Sequence, residues 1–205
     1  MGKTRRHDRF IEVKMRKIFF LFSFLASNFL FAQKKDSVYD PNKEIIINNN
    51  RFKVYNCWIS GGAGWAENFT AGRSKFNLGA DFNFHIKQEY FQLGMFFSGQ
   101  EYGKYDNYNF HFCYGKRLES EKINLACFGG LSFSHGYTKR DTDFYYYNDP
   151  SLYVSAQLIK KFTYDVGGGI ELFGELSQRQ FLGGFRFVIY FSGAYKGKSK
   201  KTSFD

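Results

Sequence analysis

Apolar and polar residues alternate with a period of two through most of the chain after residue 50, and this alternation predicts β-strands with two different faces. In the clearest case one face carries Phe76, Leu78, Ala80, Phe82, Phe84 and Ile86. The opposite face carries Asn77, Gly79, Asp81, Asn83 and His85. The same pattern recurs in residues 91–97, 108–114, 123–131, 152–158, 166–172 and 181–191. With a less regular first strand over residues 52–65, the pattern predicts eight strands and no helix after residue 33.

The predicted hairpins can be checked for pairing, because a tight turn fixes which residues of two antiparallel strands face each other. A turn at residues 87–88 brings apolar residues of the two strands opposite each other along the whole hairpin. A turn at residues 178–179 places Glu171 opposite Arg186. Two independent hairpins therefore give chemically coherent faces.

Long and short connections alternate between the predicted strands, as in up-and-down membrane barrels, whose short turns face the periplasm. The long connections are residues 66–73, 100–106 and 136–150. The short ones are residues 87–88, 119–122 and 160–163, and the last connection breaks the alternation by being short as well. We therefore expect an all-β fold: an eight-stranded, up-and-down antiparallel membrane β-barrel preceded by a signal peptide.

Alternation alone does not say whether the apolar face points outward to lipid or inward, as in a soluble lipocalin-like carrier of an apolar ligand. The interior of an eight-stranded barrel is just wide enough to be filled by side chains, and the many Phe, Tyr and Leu residues of the apolar face would overfill it. The polar face consists mostly of Gly, Asn, Ser and Gln, whereas a water-facing surface is rich in Lys and Glu. We therefore expect the apolar face to contact lipid and the lumen to be filled by side chains.

The composition indicates a folded chain and removes nucleic acid from the expected partners. The 205 residues include 27 Phe and 15 Tyr but only 2 Pro, which argues against disorder. The formal net charge is +10, but residues 1–17 contribute +5 and residues 196–205 contribute +3, which leaves +2 for the rest. A basic stripe on the folded domain, which phosphate binding requires, is therefore not expected.

The N-terminal region has the features of an export signal. Residues 15–32 begin with two cations and continue with a 15-residue apolar segment, which is shorter than the roughly 20 residues of a membrane-spanning helix. Cleavage is expected between Ala32 and Gln33. The alternative is a twin-arginine signal at residues 5–6, although these lie far from the apolar segment.

These features predict a division of the chain into five parts. Residues 1–14 are interpreted as an over-extended start and residues 15–32 as the signal peptide. Residues 33–50 form a polar leader, residues 51–195 the β-barrel and residues 196–205 a basic tail.

The export signal, alternating strands, aromatic outer face and glycine-rich inner face resemble those of the small outer-membrane β-barrel proteins of Gram-negative envelopes. The inner-face glycines include Gly129–Gly130, Gly167–Gly169 and Gly183–Gly184. The resemblance implies a monomer in the outer membrane, with lipid and the barrel insertion machinery as partners and a structural or loop-mediated binding role. The chain departs from the family pattern at its end, where a basic tail follows the last strand instead of a closing aromatic residue.

Three charged residues, Asp81, Glu171 and Arg186, fall on the predicted inner face. A buried charge is tolerable only when it is paired, so we interpret them as a salt-bridged network that fills and rigidifies the lumen. A proton or ion pathway is the alternative interpretation.

Enzymatic alternatives have weaker support in the residue pattern, and we expect no catalytic, cofactor or metal site. A barrel-embedded lipid or peptide hydrolase would use Ser134 and His135, but neighbours in a strand point to opposite faces. Glu171 and Glu175 would lie about 13 Å apart on one strand, beyond the range of glycoside hydrolysis.

A metal site would have to combine His85, His111 and Cys113, which share the inward parity, but another strand separates His85 from the other two. The three cysteines, Cys57, Cys113 and Cys127, are an odd number and do not form a complete disulfide framework. We interpret them as small apolar fillers.

The segment at residues 136–150 contains three successive tyrosines, Tyr145, Tyr146 and Tyr147, flanked by charged residues. Tyrosine combines a large contact area with a hydrogen-bonding tip, so the segment is a candidate contact surface for an extracellular ligand. The alternative is an aromatic belt at the level of the lipid headgroups.

Overall fold

The computed structural model describes residues 39–70, 72–101, 104–140 and 143–198 of the chain. Its longer strands are β3 (Trp58–Asn68), β4 (Arg73–Ile86), β5 (Glu89–Glu101), β6 (Lys104–Glu119), β7 (Ile123–Arg140), β8 (Asp143–Lys161), β9 (Val166–Ser177) and β10 (Phe181–Ser192). They close into an antiparallel barrel in the order β10-β3-β4-β5-β6-β7-β8-β9. The predicted fold class is therefore confirmed. The predicted signal peptide, its cleavage position at Ala32 and Gln33, and residues 1–14 lie outside the described residues.

A second, three-stranded sheet has the order β1-β2-β11, with β1 (Glu44–Ile47), β2 (Asn50–Lys53) and β11 (Tyr195–Lys198). We call it the terminal sheet. Phe52 packs against Tyr164 and Ala194, so the sheet covers the turn that joins β8 to β9. We call this end of the barrel, where β3 begins and β10 ends, the terminal end, and the opposite end the distal end. In the terminal sheet Arg51 and then Lys196 lower the pKa of Glu44 by binding its carboxylate.

The pairing predicted from the hairpin turns is confirmed. Phe84 faces Phe91 across the β4–β5 ladder. Glu171 faces Arg186 across the β9–β10 ladder. Because side chains alternate between faces, this register places the alternating apolar residues of each hairpin, such as Phe84 and Phe91, on the same side of the sheet.

The apolar face points outward, as predicted. Exposed side chains of this face include Leu93, Phe110, Phe112, Leu131, Leu152, Leu172, Phe187 and Ile189. Buried side chains of the inner face include Ser60, Asn77, Asn83, Gln92, Asn109, Ser155 and Gln157. A lipocalin-like carrier needs an apolar interior, whereas this barrel has a largely polar interior and an apolar exterior.

The predicted long connections are largely strand. Strands β7 and β8 extend to Arg140 and Asp143, and strands β5 and β6 to Glu101 and Lys104. The sequence pattern missed these extensions because residues 100–106 and 138–145 lack the regular alternation of apolar and polar residues. The strands continue through these residues by backbone hydrogen bonding, without the alternation that identifies strands from sequence.

The predicted leader and tail also contain regular structure. Strand β1 lies in the leader and β11 at the start of the tail, and the predicted first strand over residues 52–65 is divided between β2 and β3. The division falls at residues 54–57, where the Asn56 side-chain amide donates hydrogen bonds to the backbone carbonyls of Lys53 and Val54. A strand of four residues is too short to show a clear periodicity.

Within the part of the chain that the structure describes, no helix is long and apolar enough to cross a bilayer.

Candidate functional site

A cluster of four charged or titratable side chains occupies the middle of the lumen. Arg186 on β10 and Glu171 on β9 are directly opposed in the ladder, and Arg186 Nη2 lies 2.9 Å from Glu171 Oε1. The same nitrogen lies 3.9 Å from Asp81 Oδ2 on β4. His111 on β6 completes the cluster, with its Nε2 atom 2.8 Å from Asp81 Oδ1. We call these four residues the central cluster. The structure thus brings together the three residues of the predicted charge network.

Aromatic rings enclose the central cluster. Arg186 Nη2 donates a hydrogen bond of 2.7 Å to the Tyr153 hydroxyl. The Tyr153 ring stacks on His111 with centroids 4.0 Å apart. The guanidinium carbon lies 4.8 Å from the ring centroid of Phe173 and 5.9 Å from that of Phe96. These rings help to bury the Arg186–Glu171 ion pair and give the cation favourable π contacts.

Two glycines leave room for the cluster. A Cβ atom on Gly79 would lie 1.4 Å from Arg186 Nη1. A Cβ atom on Gly94 would lie 2.1 Å from Asp81 Oδ1 and 2.4 Å from His111 Nε2. A small barrel can hold an arginine, two carboxylates and a histidine at one level only if some inward positions lack a side chain.

A second charge cluster fills the terminal end of the lumen and was not predicted from the sequence. Arg117 Nη2 lies 2.8 Å from Glu119 Oε1, and Lys161 Nζ binds the same carboxylate oxygen. The Arg117 guanidinium lies 4.2 Å from the ring centroid of Trp58 and donates a hydrogen bond to the Tyr190 hydroxyl. We call Arg117, Glu119 and Lys161 the terminal cluster. The sequence did contain one indication of this cluster: in the alternating pattern, Arg117 and Glu119 fall on the inner face of their strand.

The turn beneath the terminal cluster carries Tyr164, whose ring lies 3.8 Å from Lys161 Nζ. Burial raises the pKa of the Tyr164 phenol. Phe52 of the terminal sheet also packs against this ring, with centroids 4.9 Å apart, so the terminal sheet contributes to the burial of the turn next to Lys161.

The distal half of the lumen is lined by hydroxyl, amide and carboxyl groups. Ser151 donates a hydrogen bond of 3.0 Å to Glu175 and lies 2.7 Å from the Ser132 hydroxyl. Ser134 donates to Asn107 Oδ1 at 2.9 Å. Glu171 and Glu175 thus have different partners, and the structure does not join them into a carboxylate pair.

The structure also separates the predicted hydrolase residues. Ser134 is buried in the lumen, whereas His135 lies on the outer face with its Nδ1 atom next to Asn148 Oδ1. The serine hydroxyl and the imidazole therefore lie on opposite sides of β7.

The three candidate metal ligands are apart as well. His85 lies near the turn between β4 and β5, with Nδ1 3.1 Å from the carbonyl of Lys87. His111 belongs to the central cluster, and Cys113 is a buried free thiol. Among the described residues, no group of three His, Cys, Asp or Glu side chains is arranged to hold a metal ion.

The tyrosines of the predicted contact segment have different surroundings. Tyr146 is 71% exposed, whereas Tyr147 is 6% exposed and donates a hydrogen bond of 3.2 Å to Asn107. The side chain of Tyr145 lies outside the described residues. Tyr146 is therefore available for contact, while Tyr147 anchors the hairpin to the barrel.

The described geometry is similar to that of solved membrane barrels. The N-terminal β-barrel domain of Pseudomonas aeruginosa OprF matches with a TM-score of 0.51 and 10% identity, over 67% of this chain and 98% of that one. Neisserial surface protein A matches with a TM-score of 0.51 and 10% identity, over 66% of this chain and 96% of that one. The fold is that of the small outer-membrane β-barrels. No protein-family model and no curated protein matches the chain.

We expect Arg186→Met to lower the free energy of unfolding by about 3–5 kcal/mol, because it leaves the Glu171 carboxylate buried without its partner. The double variant Arg186→Met/Glu171→Met should recover most of that loss. Denaturant unfolding of the barrel in lipid vesicles measures both quantities. If Arg186→Met unfolds like the parent protein, the ion pair does not support the barrel.

We expect Gly79→Ala to lower the free energy of unfolding by about 1–3 kcal/mol, because the new methyl group overpacks the site and displaces the Arg186 guanidinium. The matched control is Gly61→Ala on the neighbouring strand, where the nearest atom to a new Cβ lies 3.7 Å away. That control should change the free energy of unfolding by no more than about 0.5 kcal/mol. Equal effects of the two variants, measured in the same unfolding assay, would contradict a role for Gly79 in housing Arg186.

Proposed function

We propose that this protein is a monomeric outer-membrane β-barrel with a closed lumen, that it is not an enzyme, and that it presents a projecting hairpin as a contact surface. The observation that carries the proposal is the combination of an apolar outer face with two ion-paired clusters inside the barrel. An apolar exterior is suited to contact with lipid. A closed barrel is also suited to a bilayer, because its strands satisfy their backbone hydrogen bonds with one another. In the outer membrane the surrounding bilayer is then the first partner of the protein.

The closed lumen supports a structural or binding role over transport. The central and terminal clusters cross the lumen at two levels, and in both the charges are bound to one another and to aromatic side chains. An ion entering the barrel would have to break these pairs while the site is shielded from water, which is energetically costly.

The contact surface that we propose is the part of the β7–β8 hairpin that extends beyond its neighbours. The ladder between β6 and β7 ends at Gly136, and the ladder between β8 and β9 begins at Ser151. Between these points β7 and β8 pair with each other, up to Arg140 and Asp143. We call residues 137–140 and 143–150 the distal ribbon. Tyr146 extends from it next to Tyr137, with ring centroids 6.1 Å apart.

The distal ribbon lies at the distal end of the barrel, opposite to the turns of the terminal end. In outer-membrane barrels the short turns face the periplasm and the longer hairpins face outward. The turns at the terminal end span residues 87–88, 120–122 and 162–165. On this basis the proposed orientation has the distal ribbon, including Tyr146, at the cell exterior.

Labelling of intact cells tests the location and the orientation together. In a variant lacking the three native cysteines, we expect Tyr146→Cys to react with a membrane-impermeant maleimide on intact cells. The control Lys122→Cys, in the exposed turn between β6 and β7 at the terminal end, should react only after the outer membrane is permeabilised. The opposite pattern would reverse the orientation, and failure of both sites to react on intact cells would contradict the proposed location.

A further inference from the structure

A cleft of about 480 Å³ lies on the outer face of the barrel at the terminal end. It is lined by Tyr39, Ile86, Lys87, Gln88, Glu89 and Phe91. The cleft is outside the lumen and shares no residue with the central cluster, the terminal cluster or the distal ribbon.

One side of the cleft continues into an apolar wall on the outer face. The rings of Phe82, Phe84, Phe91 and Phe112 form a continuous series with centroids 5.5–6.0 Å apart and interplanar angles of 16–21°. Ile86 is 59% exposed at the edge of this wall. Such a flat, aromatic, exposed surface fits an extended hydrocarbon chain.

The other side of the cleft is polar and carries a positive charge that the carboxylate of Glu89 does not neutralise. Glu89 Oε2 lies 2.5 Å from Lys116 Nζ and accepts a hydrogen bond from the Tyr114 hydroxyl. Lys87 is exposed at the tip of the β4–β5 turn, where its φ angle is +57°. The carboxylate of Glu89 is thus paired with Lys116, and Lys87 adds a further ammonium group to the residues that line the cleft.

We propose that this cleft binds one glycerophospholipid of the leaflet that surrounds the terminal end. Its phosphate lies at Lys87 and one acyl chain runs along Phe91 and Phe84. A glycerophospholipid joins an anionic phosphate to long hydrocarbon chains, and the cleft offers a cation and an aromatic wall in the same order. Basic pockets at the membrane surface recognise lipid headgroups in this way. The inference rests on the proposed membrane location.

Native mass spectrometry of the barrel released from vesicles of phosphatidylethanolamine and phosphatidylglycerol tests the site. We expect a population that retains one phospholipid, and Lys87→Asn should reduce the ratio of lipid-bound to free barrel by about two- to fivefold, as expected for the loss of one exposed ion pair. Asparagine is chosen because it tolerates a positive φ angle. The matched control is Lys122→Asn in the next turn at the same end, which should retain lipid like the parent.

Two outcomes overturn the site: the parent barrel retains no phospholipid, or Lys87→Asn retains as much as the parent and the control. Heat-modifiable mobility on gels shows in each sample whether the barrel has folded and inserted. If the parent barrel inserts but retains no lipid, the lipid site is contradicted and the proposed function is not affected. If the parent barrel does not insert, the proposed function itself is contradicted. If Lys87→Asn does not insert, Phe91→Ala serves as the second variant, and lipid retention equal to that of the parent overturns the site.

Discussion

The rest of the structure depends on the hydrogen-bonded ladder between β3 and β10, the first and last strands of the barrel. This ladder closes the sheet, so that one face lines a lumen and the other faces outward. Strands β3 and β10 pair from Asn68 and Leu182 to Trp58 and Ser192. At this seam the backbones approach very closely: a Cβ on Gly64 would lie 1.9 Å from the carbonyl oxygen of Phe185. Without closure the two strands would expose unpaired N–H and C=O groups, which neither lipid nor a buried lumen can satisfy.

Closure also determines which charges the barrel can hold. A lumen of this size admits few large side chains, and the charged side chains at mid-height are bound to one another. The terminal cluster repeats the arrangement at the terminal end of the barrel, where the terminal sheet and Tyr164 cover it. The barrel is therefore filled by paired charges and aromatic rings, and the glycines at positions 79 and 94 provide the space for them.

Much of this architecture could be predicted from the sequence, because alternation and turn position have direct geometric consequences. The pairing of Glu171 with Arg186 followed from one tight turn, and the outward direction of Phe82 followed from its period-two neighbours. The terminal cluster was missed because charged residues near the ends of the strands occupy both faces. Lys116 points outward and its neighbour Arg117 points inward, so charge alone does not mark the inner face there. The terminal sheet was missed for two reasons. Its β1–β2 hairpin consists of strands of only four residues, and its β2–β11 pair joins residues about 145 positions apart, on which local periodicity carries no information.

The central claim is that aromatic side chains on the outer face contact acyl chains while polar and ionic groups fill the lumen. The two tryptophans of the chain test it most directly, because Trp65 is 53% exposed on the outer face and Trp58 is 1% exposed in the lumen. In vesicles whose lipids carry bromine along the acyl chains, the fluorescence of the Trp58→Phe variant, which retains Trp65, should be strongly quenched. The Trp65→Phe variant, which retains Trp58, should be nearly unaffected. Quenching of Trp58 in preference to Trp65 would contradict the account.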